Sequence, residues 1–291
     1  MSDEAPEVDP DEQRARSRRH WEEQAPAWER LRGWQQQALE PVSQWMVDAI
    51  APQPGHVVLE AACGLGDTGL LAAELVHPGG RVILADGAEA MVAAARRHAE
   101  ERGIANVEAT PMELEWIDMS AASLDGLLVR FGYMLVPDPE AALRDARRVL
   151  RPGGRVALAV WDRLEDNPWF ARPLEVLLRH GVLEAWPASP THPFALADRA
   201  GLVELVASAG FVLPEVDRME IAFRSPDAAT QRERFLELSG TSRAALAAAS
   251  EDVRAAVESE IDAAFAAFPD PDGPEGAVAL PGTVLLAAAD A

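Results

Sequence analysis

The sequence predicts an α/β fold built on a doubly wound, mostly parallel sheet with helices on both faces. Three observations carry this prediction. Between residues 56 and 161 short apolar runs alternate with stretches of helical spacing, the rhythm of strand–helix–strand units whose strands run parallel. The apolar runs, RVALAVW at 155–161 being the clearest, are apolar on successive residues, as strands covered on both faces must be. Glycine and proline close the intervening helices, at Pro78-Gly79-Gly80, Gly103 and Pro152-Gly153-Gly154.

Taken in order, residues 1–12 are acidic and are expected to form a disordered tail. Residues 13–54 read as an N-terminal helical lid rich in tryptophan (Trp21, Trp28, Trp34, Trp45), closed by Pro52 and Pro54-Gly55. The core, 55–165, opens with a strand at 56–60 that runs into a glycine loop. A helix at 67–76, a strand at 81–85, a helix at 88–102 and strands at 106–110 and 126–131 follow. Asp138 caps the next helix and Pro139 takes its first position, where the missing N–H costs nothing. That helix reaches residue 150, and a fifth strand spans 155–161. Here the rhythm breaks, and 166–197 read as an irregular cap rich in Pro, Trp and His. Residues 198–291 complete the same domain: a helix at 198–209, a strand at 211–223, a helical insertion at 227–268, and a last strand at 282–288. On the insertion Val253, Val257, Ile261, Ala264, Phe265 and Phe268 recur at helical spacing. The strands number seven.

Composition narrows the function. Against 48 acidic residues stand 26 basic ones, a formal charge of −22. Such a surface repels phosphate backbones and anionic lipid, so neither nucleic acid nor a membrane is an expected partner. No apolar run approaches the length of a membrane span and the N-terminus lacks the core of a secretory signal. A lone cysteine, Cys63, excludes an intrachain disulfide framework and fits the reducing cytoplasm. Every basic residue is arginine, so Schiff-base chemistry on lysine is excluded. No cysteine–histidine set suggests zinc, and no metal is expected.

Ligand should bind beyond the carboxyl ends of the parallel strands. There LEAACGLGDTG carries GxGxxG at Gly64, Gly66 and Gly69. The pattern describes a tight turn that brings backbone against a ligand ahead of a helix N-terminus, and dinucleotide enzymes use it to hold pyrophosphate. Glu60, four residues before the first glycine, favours a different ligand. A carboxylate at that strand end sits poorly beside a pyrophosphate and well beside positive charge, as on the sulfonium and ammonium groups of S-adenosylmethionine. Asp86, closing the second strand, suits two ribose hydroxyls and does not discriminate, because dinucleotide enzymes place an acid there too.

Four segments, in order, resemble the motifs of class I S-adenosylmethionine-dependent methyltransferases of the ubiquinone- and menaquinone-type and their small-molecule relatives. They are VVLEAACGLGDTG, RVILADGAEAM, MELEWIDMSAASLDGLLVRFGYM and DPEAALRDARRVLRPGGRVALAVW. The resemblance covers residues 14–165. It implies a seven-stranded Rossmann-like sheet, S-adenosylmethionine as cofactor with S-adenosylhomocysteine as product, and a small-molecule acceptor. It also implies roles. Glu60 would contact the methionine moiety through water, lined by the backbone of Ala62, Cys63, Gly64 and Gly66. Asp86 and Gly87 would take the ribose, and Met91 would pack near the adenine. Glu113 would accept the adenine amino group, with Met112 and Leu114 beside the ring, and the Arg130 backbone would face the ammonium group. Trp21 and Trp28, spaced like the aromatics of the family's N-terminal helix, would lid the site. Ala62 departs from the pattern, standing where the first glycine is usual.

In-line methyl transfer asks chiefly for alignment and the exclusion of water. Where the acceptor must lose a proton, the candidate general bases are His20, near the lid, and Tyr133, just past the fourth strand, with His192 in the cap as a third. Phe131-Gly132-Tyr133 is not the Asp/Asn-Pro-Pro-aromatic loop of base-amino methyltransferases. The expected acceptor is a small apolar or aromatic molecule held between the N-terminal helices and the Trp-rich region after Trp161. Two alternatives remain on the residues alone: an NAD(P)-dependent oxidoreductase using the glycine loop, and an S-adenosylmethionine-binding protein with a non-methylating or regulatory role.

Overall fold

In the computed structural model, which describes residues 9–187 and 189–291, seven strands form one sheet in the order β3-β2-β1-β4-β5-β7-β6. β1 (Val57–Ala61), β2 (Arg81–Asp86), β3 (Val107–Pro111), β4 (Leu124–Arg130) and β5 (Leu150–Trp161) are parallel. β7 (Val278–Asp290) inserts antiparallel between β5 and β6 (Val212–Ser225). The Rossmann-like arrangement is therefore present. The chain winds outward from β1 to β3, then returns to lay β4 on the other side of β1. That reversal opens a crevice at the carboxyl ends of β1 and β4. Val58, Leu59, Leu127, Leu128, Val129, Val156 and Val160 are fully buried, as the unbroken apolar runs require.

The N-terminal region is one helix, α1 (Pro10–Ile50), and not several. The expected tail falls at residues 1–8 outside the described residues, but residues 10–12 are helical. Asp9 accepts the N–H of Asp11 at 2.9 Å, Pro10 occupies the first turn, and Asp11 and Glu12 complement the positive helix end. Pro26 and Pro41 lie within this helix, both on its exposed face, where the carbonyls they leave unbonded meet water. α1 packs on α2 (Asp67–Val76) and α3 (Glu89–Glu101) and continues across β5 and β6, while α4 (Pro139–Val149) packs with α6 (Arg199–Ser208).

Residues 166–197, expected to be irregular, contain α5 (Pro168–Arg179). Pro168 sits in its first turn, and Ala171, Leu174, Val176 and Leu177 bury one stripe; Pro173 within the helix masked that period in the sequence. The stretch 227–268 is three helices, α7 (Ala228–Leu238), α8 (Gly240–Ala248) and α9 (Glu251–Ala266). With α5 they build a second core from Val176, Leu177, Phe235, Val257, Ile261 and Phe265. β6 and β7 run longer than expected because each extends along the other beyond the central sheet, as in the pairing of Ser225 with Val278. Among the described residues, no helix is long and apolar enough to cross a membrane.

Candidate functional site at the carboxyl edge of the sheet

β1 delivers Glu60 to the crevice and the chain then turns sharply. Ala62, Gly64 and Gly66 all have left-handed backbone, with φ of 50°, 52° and 81°. Alanine at 62 thus occupies a conformation that costs an L-residue roughly 1–2 kcal/mol, which explains why glycine is usual in that position of the motif. Gly69, in the first turn of α2, has a different duty. A Cβ there would run into Leu84 and lie 2.8 Å from Glu60 Oε2, so the missing side chain lets the helix press on the sheet. Its N–H then donates to Glu60 Oε2 at 2.7 Å.

Glu60 is 1% exposed. Burial pushes its carboxyl up to about 7, opposed by the Arg130 guanidinium and the Gly69 N–H. Arg130 reaches Ser43 Oγ at 3.3 Å and Asp67 at 3.9 Å, Arg32 bonds Asp67 at 2.8 Å, and Ser43 meets Thr68 at 3.0 Å. The start of α2 is therefore already faced by two carboxylates, Glu60 and Asp67. Arg32 and Arg130 are paired against Asp67, and Glu60 keeps the one carboxyl of the cluster whose ionisation burial opposes.

β2 ends at Asp86, whose two oxygens accept the N–H groups of Gly64 at 2.9 Å and Ala88 at 3.0 Å. Burial raises its pKa. Each carboxylate oxygen keeps a second lone pair, so the group is placed to accept from a pair of neighbouring hydroxyls. Next to it the Glu113 carboxylate overlies Gly87, and a Cβ on that glycine would stand 3.1 Å from Glu113 Oε2. The Met112 N–H donates to the Asp86 carbonyl at 3.0 Å, and Leu114 is buried. Met91, 1% exposed, packs with Leu65 and Ala88 against Trp21 and Trp28. Cys63 is buried, and its thiol is raised well above its ordinary range by burial, so it is a packing group. The structure thus brings Glu60, Ala62, Cys63, Gly64, Gly66, Asp86, Gly87, Met91, Met112, Glu113 and Leu114 together along the ends of β1–β3, with Arg130 at the end of β4.

α1 lies over this set and is fastened to it by charges that the sequence reading passed over. Arg14 holds Glu115 through two bonds of 2.8 and 3.0 Å, and Arg18 pairs with Glu113 at 2.9 Å. Glu22 accepts the N–H groups of Glu89 and, at 3.1 Å, Ala90, and so caps α3. Glu29 pairs with Arg97, and Arg32 with Asp67. The signal was available: positions 14, 18, 22, 29 and 32 follow helical spacing along one flank. Trp21 and Trp28 meet edge to face at 5.2 Å on that side.

The ends of β4–β6 are different. Phe131, at φ 62°, stacks on Trp161 at 4.3 Å; Trp161 adjoins Trp169 at 4.9 Å, and Phe223 joins Trp34 at 5.0 Å and Trp169 at 5.1 Å. His20 is half-buried beside Trp21, and its pKa is lowered by burial. Tyr133 stands apart in the main core. Its hydroxyl has no partner, and burial together with Asp145 of α4 pushes its pKa far up. His192 lies in a turn of the cap, edge-on to Trp186 at 5.0 Å, with its pKa lowered by burial.

Comparison with known proteins agrees with this geometry. The model of the ubiE/COQ5 methyltransferase family matches residues 40–175. A ubiquinone/menaquinone biosynthesis C-methyltransferase UbiE from Cellvibrio japonicus is 36% identical over 39% of this chain and 46% of its own length. The nocamycin O-methyltransferase of Saccharothrix syringae is 29% identical over 65% of this chain and 70% of its own. The chain spans about half the length of the first curated relatives it matches. Among solved structures, the YcgJ protein of Bacillus subtilis shares the fold with a TM-score of 0.55 at 18% identity, over 86% of this chain and 98% of its own. The fold, the ordered motifs and the acid-closed strands agree with this likeness, which over residues 40–175 is to the ubiE/COQ5 methyltransferase family.

Proposed function

We propose that the protein transfers a methyl group from S-adenosylmethionine to a small, ring-bearing molecule in the cytoplasm. The observation that carries this reading is the buried Glu60. Its carboxyl is held near its titration point beside a crevice closed by further acids, so a cationic ligand would gain by ionising it. The surrounding residues fit the same nucleoside. Asp86 retains lone pairs for two ribose hydroxyls, Gly87 leaves room beside Glu113, and Met91 with Leu114 offers an apolar bed for adenine.

Bound there, the cofactor would supply an electrophilic methyl group on positively charged sulfur. Glu60 would counter the charge of the methionine end, and the Ala62–Gly66 turn and the Arg130 backbone would line it. Glu113 would accept from the adenine amino group once Arg18 yields. Trp21 and Trp28 would keep water from the site under α1. Phe131 and Trp161 would present the acceptor's ring, and alignment of this kind lowers a barrier by roughly 7 kcal/mol in favourable cases. His20, neutral at physiological pH because burial lowers its pKa, would take a proton from an acceptor that must lose one. Tyr133, whose hydroxyl is raised by burial, serves packing. The charge of −22 and the single buried cysteine support a small-molecule acceptor and a reducing compartment.

Calorimetry with S-adenosylmethionine, S-adenosylhomocysteine and NADH tests the reading. Binding of the first two without the third is expected, and tight NADH binding alone would overturn it. Release of S-adenosylhomocysteine in the presence of small aromatic acceptors then separates an active transferase from a non-methylating binder.

A further inference from the structure

We propose that a groove between α1 and the end of β6 binds a singly charged carboxylate on a flat ring, held by the free edge of Arg234 and the face of Trp34. The groove has a volume of about 520 Å³. Gly33 and Trp34 of α1 form one wall. The other wall is made by Arg224 and Ser225, where β6 ends, by Arg234 of α7, and by the loop that carries Asp270 ahead of β7. None of the residues assigned to the cofactor lines this groove, so the inference goes beyond the methyltransferase reading and stands without it.

Arg234 is fixed before any ligand arrives. Its Nη1 donates to Ser225 Oγ at 2.7 Å and to the Arg224 carbonyl at 3.2 Å. Ser225 in turn donates to Gln231 Oε1 at 2.6 Å, which holds its hydroxyl in place. The remaining edge of the planar guanidinium, Nε with Nη2, has no hydrogen-bond or ion-pair partner among the described residues. Elsewhere the same chain gives that edge to acids. Arg14 on Glu115, Arg148 on Asp145 and, on the same helix as Arg234, Arg232 on Asp262 each offer Nε to one carboxylate oxygen and Nη2 to the other. The spacing of the fork matches the two oxygens of a carboxylate. Arg234 is half-buried, and burial lowers its pKa, opposed by Asp227. An anion brought to the free edge would offset that desolvation.

The neighbours limit the ligand to one charge. Arg224 is taken up by Asp270 and, at 3.6 Å, by Asp272. Asp227 accepts the N–H and hydroxyl of Thr230 at 2.7 and 3.0 Å and remains an anion near Arg234. One free cation among these acids suits a monoanion and disfavours a phosphate dianion. Trp34 supplies the ring contact. Its ring lies 5.2 Å from the guanidinium carbon of Arg234, and its Nε1 donates to the Arg224 carbonyl at 2.8 Å, which pins the plane. Pro226, Pro274 and Ala277 add apolar wall, and a Cβ on Gly33 would meet no atom within 4 Å, so the α1 side is open. A flat ring bearing one carboxylate meets both the fork and the indole. Because the walls belong to α1 and to β6 with α7, an occupant ties the N-terminal helix to the far end of the sheet.

The test titrates the full chain, without cofactor, with benzoate, benzamide and inorganic phosphate, followed by ligand-observed NMR. Physiological ionic strength screens the negative field of the chain beyond about 8 Å. Benzoate should bind roughly tenfold or more tightly than benzamide, its neutral isostere, and equimolar phosphate should not displace it. Arg234→Gln should weaken benzoate by roughly tenfold or more and leave benzamide unchanged. Arg234→Lys, which keeps the charge without the fork, should fall between wild type and Arg234→Gln. Melting temperatures are measured alongside. Should Arg234→Gln fail to fold, Gly33→Leu judges the proposal instead. It removes no hydrogen bond, improves helix propensity, and should weaken benzoate by roughly tenfold through the space it takes on the open side. No benzoate binding up to about 10 mM overturns the proposal. So does equal binding of benzoate and benzamide, or an unchanged benzoate affinity in the folded variant, which would place the probe elsewhere on the chain. Displacement of benzoate by equimolar phosphate would overturn the assignment to a carboxylate.

Discussion

Along one edge of the sheet, the β1–β3 half and the β4–β6 half are made of different materials. The first presents carboxylates on a frame of backbone N–H groups: Glu60 on Gly69, and Asp86 on Gly64 and Ala88. The second presents rings, Phe131 on Trp161 and Phe223 between Trp34 and Trp169. α1 crosses both and changes character as it does so, ion-paired on the first flank and aromatic on the second. A ligand with charges and hydroxyls must be met by acceptors fixed in advance, whereas a neutral ring is held by area and exclusion of water. The two halves should therefore fail differently when altered: the carboxylate side in affinity, the aromatic side in stability and acceptor fit.

The largest expected effect lies on the aromatic side. Trp161→Ala removes a buried ring stacked on Phe131 and should cost about 3–5 kcal/mol of stability by chemical denaturation. Affinity for S-adenosylhomocysteine should stay within about twofold, and a large loss of that affinity would erase the distinction between the halves. Asp86→Ala is the counterpart. Two charge-assisted bonds of about 1.5 kcal/mol each imply a loss of roughly hundredfold in S-adenosylhomocysteine affinity by calorimetry. An affinity that survives this change would remove Asp86 from the site.

Glu60 gives a smaller effect with a definite sign. Its ordinary value is 4.5 and its folded value about 7, so across that window the folded chain holds a proton that the unfolded chain has shed. The stability tied to that proton is full below 4.5 and is lost as pH rises through about 7. A cation beside Glu60 reverses the preference. S-adenosylhomocysteine, whose ammonium group remains, should bind roughly tenfold more tightly at about pH 8 than at about pH 6. Glu60→Gln should flatten that profile, and an unchanged slope in the variant would assign it to another group. The smallest effect sharpens the backbone frame itself: Ala62→Gly relieves a left-handed alanine and should stabilise the fold by about 1 kcal/mol, read as a raised melting temperature. A destabilised Ala62→Gly would mean that the alanine methyl, which approaches Gly132, contributes packing that outweighs the strain.

Much of this was legible along the chain. Alternating apolar runs and glycine stops gave the parallel strands, and the acids that close β1 and β2 pointed to the site. Where the sequence reading failed, the cause was specific. Pro173 hid the buried stripe of α5, and the acidity of the first dozen residues hid the cap that Asp9 provides. The fastening of α1 was only half legible. Helical spacing could show that Arg14, Arg18 and Glu22 share a flank, but their partners lie 67 to 101 residues away in the chain. Tyr133 illustrates the reverse problem. Its place after β4 suggested chemistry, and only packing shows that its hydroxyl is sealed in the core.

The sequence by itself determined the local grammar: which segments are strands or helices, which ends carry carboxylates, and where glycine permits a turn. Those features follow from side-chain period, capping and backbone sterics, which act over a few residues. Tertiary structure decided which face of α1 looks inward, that Glu113 and Glu115 meet arginines of α1, and that Glu60 is dry enough to titrate at about 7. These depend on desolvation and on contacts between distant segments, and neither exists until the chain has closed on itself.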